Sequence, residues 1–300
     1  MDNYSKGKII CFGEVLWDML PNGAKPGGAP LNVAIHLLRQ GQSPLLISKI
    51  GNDSLGGDLM DFLTESGLNI DLIQMDERLP TSQVLVRLDE KKNASYEICE
   101  PVAWDNIQVN PKNLEAAADA GLIIFGTLAS RNKKSRDTLF QILENTKANR
   151  LLDVNLRPPY DQSEIVKDLL FKADFAKLND DELSIIASWN NKKGDEKELI
   201  QYISEVYSCP TICVTRGENG AALFMDNTLY EHPGFKVNAV DTVGAGDSFL
   251  ASLIASLIKQ FTPEKALETA CATGAYVASQ NGAVPQYSEK EINKIIFSAT

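Results

Sequence analysis

The chain has 300 residues, of which 44% are hydrophobic and 23% are charged, so it can bury one sizeable core and carry a small appendage. Its formal net charge of -11 argues against nucleic acid or an anionic membrane surface as the partner, because both require a basic face. No apolar run approaches the length of a membrane span, and Lys6 and Lys8 precede only a short apolar segment that Glu14 interrupts, unlike a signal peptide. We therefore expect a cytoplasmic protein.

The cysteines and histidines predict no transition-metal site. The five cysteines are scattered, mostly inside apolar segments, which favours buried free thiols. With only two histidines in the chain, Cys209 and Cys213 cannot assemble a zinc site. The cysteines are Cys11, Cys99, Cys209, Cys213 and Cys271, and the histidines are His36 and His232.

The first apolar segment, residues 8–13, predicts a strand buried in a parallel sheet, because it is short, continuous and ends in glycine. Asp18 follows just past this strand, where open α/β sheets place ligand-binding groups. A carboxylate there can accept hydrogen bonds from two vicinal hydroxyls. From this segment alone, a solvated loop aspartate has equal support.

Residues 25–41 predict a helix with a polar mouth. Pro30 lies near the first helical position. Gly28 leaves backbone exposed at the mouth, and Asn32, one turn in, directs a donor and acceptors toward it. Together they predict a polar cup of the size of a polyol. His36 falls on the buried stripe of the helix and is predicted to be a core histidine with satisfied hydrogen bonds.

The middle of the chain changes its pattern twice. Residues 83–89 and 94–100 alternate like half-exposed strands and are joined by a charged turn at 90–93, which predicts a hairpin. From residue 110 onward, helical and apolar strand patterns alternate. This alternation predicts a parallel sheet flanked by helices.

Polar residues close two of the predicted strands. Asp153, Asn155 and Arg157 follow one of them. Arg157 can bind hydroxyls or phosphate, and the alternative of a structural ion pair has equal support. Asn179 and Glu182 follow the next strand, and their spacing is also that of a charged helix cap. Both groups lie at carboxyl ends of strands, where α/β sheets bind ligands.

The stretch 241–249 carries the clearest chemistry. Gly244 and Gly246 flank Ala245 and let the backbone turn tightly, so that several N–H groups meet at the start of the helix that follows. Such a turn binds an anion, and Asp247 in the first helical turn can face that anion. A base beside a phosphate indicates phosphoryl transfer. A purely structural glycine turn has about even support from this motif alone.

Two motifs together resemble a known family. Residues 249–259 predict a helix buried on both faces, and a buried helix that opens with Gly-Ala-Gly-Asp resembles the second signature of the ribokinase-like (PfkB-type) carbohydrate kinases. Their first signature is matched in residue type and spacing by Gly27, Asn32, Ala34, Gly41 and Gly51. The order and wide separation of the two motifs make the pair specific. Within the family, residues 12–18 and 27–32 most resemble fructokinases.

The resemblance implies a fold and an activity. The fold is one doubly wound α/β domain over residues 1–300, with a mostly parallel sheet and a small β-strand lid from segments near 14–27 and 76–108. The activity is ATP-dependent transfer of the γ-phosphate to the primary hydroxyl of a small sugar, with fructose preferred. It further implies Mg²⁺, K⁺ as a candidate second cation, and a homodimer through the lid as a candidate assembly.

The resemblance also implies roles for single residues. Asp247 would be the base, and the amides of Gly244, Ala245 and Gly246 would hold the developing charge. The sugar would contact Asp18, Gly28, Asn32 and Arg157. The nucleotide would contact Asn179, Thr215, Gly217, Gly220, Cys271 and Gly274. Of these, Cys271 stands where relatives often have Asn. Glu182 would hold Mg²⁺ through water, and Asp241 and Val243 would hold a monovalent cation with the 282–285 loop.

Other functions are compatible with part of this pattern. Ribokinases, nucleoside kinases and 2-keto-3-deoxygluconate kinases share the catalytic features and differ in lid and loop details. A dinucleotide-dependent oxidoreductase needs G-x-G-x-x-G, but Phe249 occupies the third glycine position. A binding protein without activity is disfavoured, because Asp247 and the glycine turn are intact. The sequence therefore predicts a sugar kinase.

Overall fold

A computed structural model of the chain describes residues 7–20, 23–88 and 94–298. Its strands, in chain order, are β1 Lys8–Phe12, β2 Leu16–Leu20, β3 Gly23–Gly27, β4 Pro44–Gly51, β5 Ile73–Asp76, β6 Ser82–Leu88, β7 Ala94–Ile98, β8 Ala120–Gly126, β9 Asn149–Asp153, β10 Phe175–Asn179, β11 Thr211–Thr215, β12 Ala221–Met225 and β13 Thr228–His232. Its α-helices are α1 Ala29–Arg39, α2 Ser54–Glu65, α3 Pro111–Ala118, α4 Lys133–Glu144, α5 Ser163–Phe171, α6 Asp180–Ser188, α7 Glu196–Tyr207, α8 Ala245–Ile258, α9 Pro263–Ala278 and α10 Glu289–Ser298.

A 9-stranded sheet forms the body of the molecule, in the order β13-β12-β11-β10-β9-β8-β1-β4-β5. The strands from β5 to β11 in this order pair in parallel, while β12 and β13 form an antiparallel edge. In this order β1 lies between β4 and β8, with β5 beyond β4 on one side and β9 to β13 beyond β8 on the other. The predicted doubly wound, mostly parallel sheet is therefore confirmed, with its switch point at β1 and β8.

Helices cover both faces of this sheet, because side chains along a buried strand alternate between the two faces. Ile10 and Phe12 of β1 join a core with α3, α4, α5, α6 and α7. Ile9 and Cys11 join a second core with α1, α2, α8, α9 and α10. Helix α8 is buried from Ser248 to Leu257, as predicted, and it begins at Ala245, before the apolar stretch.

A separate 4-stranded sheet, which we call the lid sheet, has the order β3-β2-β6-β7. Its strands lie within segments 14–27 and 76–108. The predicted hairpin is confirmed by the antiparallel pairing of β6 with β7, while its predicted turn at 90–93 lies outside the described residues. Since β1 leads into β2 and β3 leads into α1, the lid sheet is attached at the carboxyl edge of the large sheet.

The prediction of buried free thiols is confirmed for four of the five cysteines. Cys11, Cys209, Cys213 and Cys271 are free and buried. Burial raises the pKa of Cys209 and of Cys271 to about 12, so both thiols are neutral. In the described parts of the chain, no helix combines the length and the apolar character needed to cross a membrane.

Candidate active site

The glycine turn before α8 lies at the carboxyl edge of the large sheet. Gly244 is the N-cap of α8 and adopts a left-handed conformation with φ 77°, which favours glycine. The N–H of Ala245 donates to the carbonyl of Thr242 at 3.2 Å, so this amide closes the turn. The N–H groups of Gly246 and Asp247 donate to no group in the described residues, and as helix-terminal donors they remain available for an anion.

Asp247 is paired with the helix that carries the predicted polar cup. Its Oδ2 accepts a hydrogen bond of 2.8 Å from Nδ2 of Asn32, which is 5% exposed. Burial and then the charge of Asp153 raise the pKa of Asp247 to about 6, against the opposing effects of Asn32 and Lys177. The group is therefore a carboxylate at neutral pH that is readily protonated. The Oδ1 of Asn32 is buried without a partner in the described residues and can accept a hydrogen bond from a ligand hydroxyl.

The predicted polar cup forms where β1, β2 and α1 meet. Gly28 has φ 112°, and a Cβ there would lie 2.4 Å from the carbonyl oxygen of Glu14, so only glycine fits. Asp18 is half-buried in β2 and lies against Gly27. A Cβ added to Gly27 would lie 2.4 Å from Oδ2 of Asp18. Burial raises the pKa of Asp18, and the charge of Arg157 opposes this. The structure thus brings Asp18, Gly28 and Asn32 to one mouth.

Arg157 is exposed, and its charge acts on three carboxyl groups of the cup. It lowers the pKa of Glu14, Asp18 and Asp247, although burial raises each of them more. Its Nη1 donates to the carbonyl of Leu156 at 3.1 Å, and it forms no ion pair within the described residues. The alternative of a structural ion pair is therefore not observed, and the guanidinium remains available to a ligand.

Glu14 is a member of the site that sequence reasoning missed. It is 3% exposed, and its Oε2 has no partner in the described residues. Burial raises its pKa to about 7, while hydrogen bonds from the Glu14 and Ala29 amides lower it. A glutamate directly after a buried glycine-ended strand was a signal that could have marked it.

Lys177 is a second missed residue, and it lies behind the glycine turn. Its Nζ forms a buried ion pair of 2.9 Å with Oδ1 of Asp153, and a Cβ on Gly246 would lie 3.3 Å from it. Burial opposes the charged form, but Asp153 and then Glu182 raise the pKa of Lys177 above its ordinary value. A lysine inside the apolar strand β10 was the signal in the sequence. The ammonium of Lys177, held by Asp153, thus lies beside the unpaired amides of the turn.

Asn179 and Glu182 form a capping box at the start of α6. The Asn179 Oδ1 accepts from the N–H of Glu182 at 2.8 Å, and the Glu182 Oε2 accepts from the N–H of Asn179 at 2.9 Å. The Glu182 Oε1 accepts from the N–H of Leu156 at 2.7 Å. The structure therefore shows the helix cap, and the roles predicted for these residues toward nucleotide and Mg²⁺ stay predictions.

A cleft of about 660 Å³ lies on the other side of the glycine turn from the cup. It is lined by five residues predicted to contact nucleotide, namely Thr215, Gly217, Gly220, Cys271 and Gly274, and by Ala245 and Gly246 of the turn. Asn179 does not line it. Phe235, Phe249 and Ala275 add apolar walls, which suit a flat ring system. At Gly220 a Cβ would lie 2.0 Å from the carbonyl oxygen of His232, so the cleft wall requires glycine.

Asp241 joins two loops beside the turn. Its Oδ1 accepts from the N–H of Val243 at 3.0 Å, and its Oδ2 accepts from the N–H of Gly282 at 3.0 Å. Asp241 therefore ties the loop before the turn to the 282–285 loop. The role predicted for Asp241 and Val243 toward a monovalent cation stays a prediction.

The parts of the site are arranged for transfer between two ligands. Asp247 and Gly246 lie between a polar cup and a partly apolar cleft, with Lys177 behind them. A ligand hydroxyl in the cup would meet a base, and an anion at the turn would meet unpaired amides and a fixed positive charge. This arrangement can support nucleophilic attack of a hydroxyl on a phosphate.

The chain is similar to known proteins in sequence and in fold. Fructokinase-2 of Oryza sativa subsp. japonica is 28% identical over 305 residues, covering 92% of this chain and 90% of the relative. The solved structure of Xylella fastidiosa fructokinase with bound ATP has a TM-score of 0.84 at 24% identity, covering 98% of this chain and 99% of that chain.

Vibrio cholerae O395 fructokinase provides a further likeness in fold. Its structure with fructose, ADP and calcium ion has a TM-score of 0.82, and that of a double mutant with fructose, ADP and potassium ion has a TM-score of 0.83. Each is 22% identical to this chain, and each alignment covers 97% of this chain and 99% of the Vibrio cholerae chain. A model of the family described as pfkB family carbohydrate kinase matches residues 11–290. Since that match spans most of the sequence and the glycine turn with Asp247 lies within it, the chain belongs to the pfkB family of carbohydrate kinases.

Proposed function

We propose that this carbohydrate kinase is an ATP-dependent fructokinase that converts D-fructose to fructose 6-phosphate. The observation that supports this chemistry is the 2.8 Å hydrogen bond between Asn32 and Asp247, the proposed base, at the boundary of the cup and the cleft. The preference for fructose is supported by the relatives named fructokinase. It is also supported by the Vibrio cholerae structures that hold fructose and ADP.

On the sugar side, the proposal gives each group of the cup one task. Asp247 accepts the proton of the primary hydroxyl as its oxygen attacks the γ-phosphorus, and Asn32 keeps the carboxylate in place. Asp18 and the exposed backbone at Gly28 bind the remaining hydroxyls. Arg157, which has no ion pair in the described residues, binds a sugar oxygen or the transferring phosphate.

On the phosphate side, the turn and the cleft hold ATP in line with the hydroxyl. The adenine would lie between the apolar walls of the cleft, including Cys271 and Gly274. The phosphates would lie at the free amides of Gly246 and Asp247, in front of the Lys177 ammonium. As charge develops on the transferred group, these donors and that cation stabilise it.

Two cations complete the proposal. Bound Mg²⁺ would neutralise phosphate charge, and it needs only one or two protein carboxylates because it keeps several waters. Glu182 is the carboxylate proposed to hold it through water, and no group of three metal-ligating side chains occurs among the described residues. K⁺ would bind at Asp241 and Val243 beside the 282–285 loop.

We extend the proposal to the setting of the enzyme. A cytoplasmic location is part of this proposal, because the proposed reaction consumes ATP. A homodimer through the lid sheet would shelter the cup from water, as lids of kinases do. Light scattering on the purified chain measures the mass in solution, and a monomeric mass would contradict the dimer.

The experiment that tests the function is a sugar panel with ATP in a coupled assay of ADP release. D-fructose is expected to exceed D-ribose, adenosine and 2-keto-3-deoxygluconate by at least about tenfold in kcat/KM, a difference of about 1.4 kcal/mol. Asp247→Asn serves as the matched control for contaminating kinases. If another substrate has the highest kcat/KM, the fructokinase assignment is wrong. If none of the substrates is phosphorylated, the chain is a binding protein without kinase activity.

A further inference from the structure

His36 of α1 is fully buried, and both of its ring nitrogens have partners far along the chain. Its Nε2 lies 3.0 Å from the carbonyl oxygen of Ala283, and its Nδ1 lies 3.0 Å from the hydroxyl of Tyr287. Because a carbonyl can only accept, Nε2 carries the proton and Nδ1 accepts from the Tyr287 hydroxyl. Burial lowers the pKa of His36 to about 4, so the ring is neutral at physiological pH and this tautomer is retained.

The carbonyl that His36 holds lies against the first residue of the glycine turn. A Cβ on Gly244 would be 2.3 Å from the carbonyl oxygen of Ala283 and 2.6 Å from its Cα. The two backbones are therefore in direct contact, with no side chain between them. The place of Ala283 limits where Gly244, and with it the first turn of α8, can lie.

Further contacts hold the same segment to the end of α1. Arg39 donates from Nη1 to the carbonyl of Pro285 at 2.7 Å, and Gln40 donates from Nε2 to the hydroxyl of Tyr287 at 3.5 Å. The rings of His36 and Tyr287 stack with centroids 5.7 Å apart. The segment is thus fixed to the helix at several points.

The same helix also carries Asn32, one turn before His36. Residues four positions apart lie on one face of a helix. One face of α1 therefore holds Asp247 directly, through the 2.8 Å bond from Asn32, and holds Gly244 indirectly, through Ala283. The base and the anion-binding turn share α1 as a common support.

We propose that His36 is a positioning residue for phosphoryl transfer, which sets the place of the first turn of α8, with Asp247 on it, relative to the polar cup by its hydrogen bond to Ala283. The proposal rests on the kinase activity proposed above. His36 does not line the nucleotide cleft, so it acts through Ala283 and not through ligand contact. A misplacement of the reacting groups by about 1 Å can cost about a hundredfold in rate, so the effect belongs in kcat.

The test compares His36→Gln with His36→Asn in steady-state kinetics with fructose and ATP. A glutamine amide nitrogen can reach the position of Nε2 and donate to Ala283, whereas an asparagine amide reaches only the position of Nδ1. We expect His36→Gln to keep kcat within about threefold of wild type and His36→Asn to lose about tenfold or more, with fructose KM within about twofold in both.

Asn113→Ala is the control for loss of stability alone. It removes a part-buried hydrogen bond of 3.2 Å from the Asn113 side chain to the carbonyl of Gln108, and Asn113 lies in α3, on the opposite face of the sheet from α8. This variant should lower Tm without changing kcat. If it lowers kcat as much as His36→Asn does, or if both His36 variants keep the wild-type kcat, the positioning role is wrong.

Tyr287→Phe is the second variant, for the case that His36→Asn does not fold. It keeps the ring stack but leaves the buried Nδ1 of His36 without its hydrogen-bond donor, so the ring that holds Ala283 is less firmly fixed and kcat should fall by about threefold or more at unchanged fructose KM. A wild-type kcat in Tyr287→Phe would overturn the proposal. Wild-type protein that turns over no sugar would overturn the kinase function and the positioning role together, whereas active wild type with unaffected variants would overturn only the latter.

Discussion

Asp247→Asn should separate activity from stability at one carboxyl group. The substitution removes the base but keeps the shape of the side chain and an oxygen that can accept from Asn32. We expect kcat to fall by at least about a hundredfold, with fructose KM little changed, which is the range for loss of a general base. In the wild type, kcat should rise with pH through a pKa of about 6, because only the ionised Asp247 can take the proton.

The same change should make the folded protein more stable at neutral pH. Burial first, and then the charge of Asp153, raise the pKa of Asp247 from 3.8 to about 6, so the fold favours its protonated form. The contribution of Asp247 to the free energy of unfolding is therefore complete below pH 4, where the group is protonated in both states, and it is lost as pH rises through about 6. The difference between the two pKa values corresponds to about 3 kcal/mol, which is the upper limit of the gain expected for Asp247→Asn above that range.

Urea denaturation of wild type and Asp247→Asn at pH 4 and pH 8, beside steady-state kinetics, measures both effects. The free energy of unfolding of the variant should exceed that of wild type at pH 8, and the difference should shrink toward pH 4. Asp18→Asn is the matched control for a carboxyl-to-amide change at the same site, and it should keep kcat because Asp18 is not the proposed base. A variant that keeps most of its kcat would show that Asp247 is not the base, and a variant less stable than wild type at pH 8 would refute the assigned environment.

Three other outcomes are expected. Asp18→Ala should raise fructose KM by about tenfold and leave ATP KM and kcat nearly unchanged in steady-state kinetics, because Asp18 binds ground and transition states alike; an unaltered fructose KM would mean that the sugar lies elsewhere. Lys177→Met leaves Asp153 buried and unpaired, so urea denaturation should show a loss of about 3 kcal/mol or more, and any folded enzyme should have a lower kcat. Replacing K⁺ by tetramethylammonium should lower kcat in the coupled assay, and indifference to the exchange would exclude a cation at Asp241.

Some features of the site could be predicted from the sequence, because they depend on residues close together in the chain. The turn at Gly244 follows from the backbone freedom of glycine next to a helical pattern. The cap of α6 by Asn179 and Glu182 follows from their spacing of three residues. The parallel sheet follows from alternating strand and helix patterns, which oblige each strand to bury both faces.

Other features were decided only by the tertiary structure, because they join residues that no local pattern connects. Asn32 reaches Asp247 across 215 positions of sequence, and His36 reaches Ala283 across 247. The cup predicted around Asn32 is thus tied directly to Asp247, the proposed base. The raised pKa of Glu14 and the pairing of Lys177 with Asp153 depend on burial and on neighbouring charges, which exist only once β1, β9, β10 and α8 meet at the carboxyl edge of the sheet. Sequence supplies the chemical groups of this site, and the fold sets their distances and charges.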